Sequence, residues 1–146
     1  MKKVELPSDA DMLEKQRTEF TKDELLDILD FYLQYKPIFN KSLNIDLNYP
    51  ASLAAHDFTL LLYKYDIIDF NYFDNMDKIK NKYGKKYVRE LFKEKLDLFE
   101  IITIFTFIHR GERHAGGFYR DCTKNDTYYN LLCRLEEIKD ELWLMN

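Results

Sequence analysis

Apolar residues recur at helical spacing in several stretches of this chain, separated by short polar gaps. The first stretch opens at Thr21-Lys22-Asp23-Glu24, a capping box in which Thr and the Glu three residues on satisfy each other's exposed backbone donors. Leu25, Leu26, Ile28, Leu29, Tyr32 and Leu33 follow at helical intervals, which predicts a helix to about Tyr35, stopped by Pro37. Residues 38–50 scatter apolar side chains among Asn, Ser and Asp and read as a loop closed by Tyr49-Pro50. A second helix is predicted from Ala51 or Ser52 to about Tyr65, with Leu53, Phe58, Leu61, Leu62 and Tyr65 on its apolar face. The aromatic run 67–73 predicts a short extended segment. A third helix, capped by Asp74 or Asn75, ends at Tyr83-Gly84, where glycine takes the left-handed conformation that closes helices. Residues 85–93 add a further turn or short helix.

The clearest element follows. Asp97-Leu98-Phe99-Glu100 is a second capping box, and between Leu98 and Ile108 only Glu100, Thr103 and Thr106 are polar. That run is far shorter than the ~20 apolar residues a bilayer demands. A helix apolar on nearly every side is the buried centre of a bundle. The last helix is predicted from Asn125 or Asp126 onward, with Leu131, Leu135, Ile138 and Leu142 as its stripe and Tyr128 and Leu132 widening it. No repeat, low-complexity tract or linker interrupts this pattern. The reading is one all-α, bundle-like domain over residues 20–146, centred on the 98–108 helix and preceded by a loosely ordered arm, residues 1–19.

Composition narrows the class. The 146 residues are 46% hydrophobic and 33% charged, which excludes general disorder and fibrous repeats. With only 4 Gly and 3 Pro, the chain lacks the punctuation of a many-turned β-sandwich. Its length suffices to bury roughly two-thirds of the unfolded surface without metal or disulfide. Lys and Arg total 22 against 26 Asp and Glu, a net charge of -4 that disfavours nucleic acid as a partner. Cys122 and Cys133 match neither a CxxC motif nor a secreted disulfide framework. No apolar segment follows Lys2-Lys3, so the expected location is cytoplasmic, with no membrane partner.

Candidate chemistry gathers in His109-Arg110-Gly111-Glu112-Arg113-His114-Ala115-Gly116-Gly117-Phe118-Tyr119-Arg120-Asp121. Arginine holds a carboxylate or phosphate through two parallel hydrogen bonds. Arg110, Arg113, His114, Gly117 and Arg120, with Arg134 on the next helix, are therefore candidate residues for an anionic ligand. In this reading the glycines turn the chain just past the central helix and aim Arg110 and Arg113 inward. A structural role competes, because arginines after a helix complement its C-terminal dipole. His109, Glu112 and His114 have no standard metal-ligand spacing, so no metal and no cofactor are predicted. Cys122 with His114 lacks a third, orienting group, and no phosphate loop or nucleophile elbow occurs; no catalytic residue is assigned. Arg110 and His114 stand closer together than the Arg-His motif of the helical HEPN ribonucleases requires. Tyr72, Tyr119 and Tyr128 are candidates to line a pocket, and the other aromatics are read as core.

The segment 109–117 and the later Leu132-Cys133-Arg134-Leu135 resemble a bacterial family of unknown function, the domain of unknown function numbered 6508. Arg110, Arg113, Gly117, Arg134 and Leu135 fall on its pattern Arg-x-x-Arg-Phe-x-x-Gly-His followed by Leu-x-Arg-Leu. Phe58, Leu62, Tyr63, Ile67, Ile68 and Phe70 match a second, apolar segment, so the resemblance covers most of residues 21–140. His114 replaces the family's Phe, and Phe118 replaces its His. The family has no established activity; the resemblance implies a helical fold and an origin in bacteria or mobile elements. Two functions stay open. One is a non-enzymatic module that binds a protein partner, a profile shared by acidic phage proteins that block host defence. The other is a binder or enzyme acting on an anionic small molecule, such as a nucleotide, at Arg110, Arg113 and Arg134.

Overall fold

Thr21 caps the first helix, α1 (Lys22–Leu33), in a computed structural model that describes residues 19–40, 48–69, 71–114, 121–122 and 126–144. Its hydroxyl accepts from the Glu24 N–H at 3.1 Å, and the Glu24 carboxylate accepts from the Thr21 N–H at 3.3 Å. Apart from Glu19, the predicted N-terminal arm lies outside the described residues. Pro37 does not end the helical path. It stands in the first turn of a short helix, α2 (Lys36–Phe39), where its missing N–H leaves no bond unmade. Helix α3 (Asn48–Lys64) likewise starts before the predicted Ala51 and takes Tyr49-Pro50 into its first turn, so that pair does not close a loop.

The expected extended segment does not take in all of residues 67–73. Among the described residues there is no strand; 67–69 are irregular, and Asn71 stands at the N-cap position of α4 (Tyr72–Tyr83) without a side-chain cap bond, with Tyr72 and Phe73 taken into the helix. Gly84 closes α4 at φ 65°, as the sequence predicts, and a 3-10 helix follows at Val88–Lys93. The second capping box also forms. The Asp97 N–H donates to Glu100 Oε1 at 2.9 Å, and the Glu100 N–H donates to Asp97 Oδ1 at 2.8 Å. It opens α5 (Leu98–His114), which runs beyond Ile108 through the arginine segment. Glu100 also accepts from the Tyr83 hydroxyl at 2.8 Å and from Lys82 Nζ at 3.1 Å, pinning the end of α4 to the start of α5. Burial of the Glu100 carboxyl opposes its charge, but the Asp97, Tyr83 and Lys82 hydrogen bonds outweigh it and hold its pKa below the ordinary carboxylate value. Helix α6 (Thr127–Leu144) completes the set, entered through Asp126 at φ 63°.

The long helices α1, α3, α4, α5 and α6 pack together around α5, whose Ile101, Ile102, Ile104, Phe105 and Ile108 are all buried. Helices α3, α4 and α6 lean on α5, while α1 packs against α6. The middle of the core is aromatic. Phe105 stacks on Tyr32 from α1 at 4.9 Å between ring centroids and meets Phe58 from α3 at 5.4 Å and Tyr128 from α6 at 6.0 Å. Tyr128 is therefore core and lines no pocket. Among the described residues no helix is long and apolar enough to cross a membrane.

The Tyr32 hydroxyl is fully enclosed and has no hydrogen-bond partner among the described residues; burial alone drives its pKa far up. An unpaired buried hydroxyl loses hydration without recompense. Tyr32→Phe, which keeps the ring, is expected to leave stability unchanged or raise it by about 1 kcal/mol. Denaturant unfolding checks this, and a clear loss of stability would show that the hydroxyl is bonded.

Candidate functional site

The predicted site residues divide between two ends of the molecule. Arg110, Gly111, Arg113 and His114 lie in the closing turns of α5, so Gly111 is helical and makes no turn there. Spacings of three and four residues set Arg110, Arg113 and His114 on one face of that helix. Arg110 is half-buried, and its Nε is enclosed with no hydrogen-bond partner among the described residues. Beside it His109 is half-buried, with Nδ1 3.3 Å from the Thr59 hydroxyl and its ring edge-on to Tyr63. The side chains of Arg113 and His114, and all of Gly117, Tyr119 and Arg120, lie outside the described residues.

Arg134 is elsewhere, and its hydrogen bonds are internal. It is buried on α6, where Nε donates to the Leu96 carbonyl at 2.7 Å and Nη1 donates to Glu137 at 2.9 Å and Glu141 at 3.4 Å. Leu96 immediately precedes the start of α5, whereas Arg110 lies near its other end, about 18 Å along the axis at 1.5 Å per residue. The structure thus does not bring Arg134 to Arg110. Its fork ties α6 to the connection that leads into α5, and a lysine ammonium cannot reproduce that planar, several-acceptor geometry. Arg134→Lys is expected to lower stability by about 1–3 kcal/mol, because the buried Leu96 carbonyl loses its partner. Thermal unfolding with and without phosphate measures it. A loss of phosphate protection at unchanged stability would instead place a ligand at Arg134.

Among the described residues, no group of three His, Cys, Asp or Glu side chains converges as a metal site would require. Cys122 is buried and Cys133 half-buried, and no disulfide forms among the described residues.

A different feature escapes a residue-by-residue reading of the sequence. Between the start of α1, the start of α5 and the last turns of α6 runs a groove of about 670 Å³, lined by Phe20, Leu25, Leu98, Phe99, Ile138 and Leu142, with Glu19 and Asp97 at its polar edge. The Phe20 and Phe99 rings lie 6.4 Å apart, and Phe99 remains 43% exposed. Trp143 and Leu144, which follow Leu142 in sequence, are 59% and 85% exposed and are not among the residues that line the groove. The available signal was weak: Phe99 inside a capping box, and a Trp-Leu pair off the apolar stripe of the last helix. A smaller recess of about 300 Å³ lies between α1 and α3, lined by Phe31, Tyr35, Asp57, Leu60, Leu61 and Lys64. There the Tyr35 hydroxyl donates to Asp57, and burial together with that carboxylate pushes the Tyr35 pKa up to about 12.

The fold and these surfaces define an all-α protein with an apolar groove between three of its helices. No known protein family, curated protein or solved structure matches the chain.

Proposed function

We propose that the protein is a non-enzymatic binding module that holds a segment of a partner protein in the groove between α1, α5 and α6. The observation that carries this reading is the groove lined by Phe20, Leu25, Leu98, Phe99, Ile138 and Leu142, in which Phe99 remains 43% exposed. Contiguous apolar surface of this kind is characteristic of interaction sites, and a groove between helices suits an amphipathic segment. The commitment of Arg134 to Leu96, Glu137 and Glu141 supports it further, since a three-arginine anion site loses one member. The test is affinity capture from the producing cells with the wild type and with a Phe99→Ser/Trp143→Ser variant, both changes being at exposed positions. A partner recovered by the wild type and lost by the variant is the expected result. Equal recovery by both proteins overturns the reading.

The enclosed Nε of Arg110, with no hydrogen-bond partner among the described residues, favours a second reading, an anionic small molecule held at the end of α5 by Arg110. Arg113, His114, Gly117 and Arg120 are the further candidates there. Thermal protection by phosphate or a nucleotide, present in the wild type and absent in Arg110→Lys, would support it.

A further inference from the structure

We infer that the outer edge between α4 and α5 takes a mononucleotide, with its phosphate between Arg110 and Lys80 and its base on the Tyr72 and Phe73 rings. This rests on the second reading above, in which Arg110 holds an anion. Glu100 pins the end of α4 to the start of α5, and at the other end of α4 the Tyr72 ring lies 6.4 Å from Phe107. The two helices are therefore antiparallel, and Tyr72 stands beside the last turns of α5. Phe107 and Arg110, three residues apart, are neighbours on one face of α5. Lys80 reaches the same place, its Nζ 5.4 Å from the Phe107 centroid, and Phe73 stands edge-on to Tyr72 while 70% exposed. Lys80 and Arg110 make no ion pair or hydrogen bond among the described residues, and only the Nε of Arg110 is enclosed. Asp74 and Asp77 pair with neither cation. They lie about 120° and 60° further round α4 than Lys80, away from its buried Met76 and Ile79. Arginine and lysine without carboxylate partners recognise phosphate, and exposed aromatic rings beside them stack a base. The net charge of -4 opposes a polyanion, so a single phosphate suits the site better than a strand.

Titration calorimetry on the full chain tests this with the four ribonucleoside monophosphates, ribose phosphate, inorganic phosphate and phosphotyrosine. At least one nucleotide is expected to bind about tenfold more tightly than ribose phosphate, the margin that stacking of the base supplies. Phe73→Ala, at an exposed position, should erase that margin and leave ribose phosphate binding unchanged. Lys80→Gln should weaken nucleotide and ribose phosphate alike, by about tenfold. Ribose phosphate or inorganic phosphate binding as well as every nucleotide overturns the inference while leaving Arg110 an anion site. Nucleotide binding that neither Phe73→Ala nor Lys80→Gln weakens overturns the placement, and phosphotyrosine binding more tightly than every nucleotide overturns the ligand class. If none of these anions binds, the Arg110 reading falls as well.

Discussion

Phe105→Ala is expected to cost about 3–5 kcal/mol of folding stability, the largest single loss in the molecule. Phe105 is 3% exposed, and its ring touches Tyr32, Phe58 and Tyr128, so one side chain on α5 is gripped by α1, α3 and α6. The cavity left by alanine has little means of closing. Tyr32 and Phe58 already hold each other at 5.1 Å, and Phe39 holds Tyr128 at 5.0 Å, so no ring is free to move in. The cost of a large-to-small change depends on how far the site collapses, and here it collapses little. Denaturant unfolding followed by circular dichroism measures the loss. Phe99→Ala, on the exposed rim of the groove, is the contrast and should stay within about 0.5 kcal/mol of wild type. A similarly small effect at Phe105 would show that α5 is not the core.

Asp69→Ala is expected to cost about 2–4 kcal/mol by a different route, the loss of a buried carboxylate that accepts from Thr103, Asn71 and Asn75. Asp69 is 1% exposed in the connection between α3 and α4. Its Oδ2 accepts from the Thr103 hydroxyl and from Asn75 Nδ2 at 2.8 Å, and its Oδ1 accepts from the Asn71 N–H at 2.9 Å. Its own N–H donates to the Thr106 hydroxyl at 3.2 Å. One carboxylate therefore fixes the entry to α4 and fastens it to α5. Asp69→Asn should fall between wild type and alanine, because an amide turns a donor toward neighbours that are themselves donors. Thr103→Val removes one of those donors, so the alanine change should cost less in that background. Strict additivity of the two changes would show that the pair does not interact.

Both capping boxes and the buried helix were legible because their signals are local: a hydroxyl or carboxylate, an acid three residues on, and an uninterrupted apolar run. Pro37 reads as a stop because proline breaks helix interiors, and Tyr49-Pro50 reads as the close of a loop. The physics of the first turn, where the proline N–H would be unpaired anyway, reverses that meaning. The aromatics at 67–73 favour a strand by propensity. What decides their conformation is Asp69 bonding to Thr103 and Thr106, contacts across more than thirty residues of sequence. Gly111 suggested a turn, yet a single glycine costs a helix only about 1 kcal/mol, and α5 absorbs it. Arg134 was grouped with Arg110 on residue type alone. Its main acceptor is a backbone carbonyl 38 residues away, which no motif announces. The groove was illegible for the same reason, since three separate elements build it.

The packing of α1 against α6 has a consequence for synthesis in the cell. Ile28 and Leu29 of α1 and Leu131, Leu132 and Leu135 of α6 are buried in the same core, yet roughly a hundred residues of translation separate the two helices. At about 5–20 residues per second, the part of α1's apolar face that packs on α6 waits some 5–20 seconds before α6 is made. During that interval the emerging chain is a client for chaperones and a target for proteases. Codon choice between the two helices, which leaves every contact described above untouched, is therefore expected to change how much of the newly made protein folds.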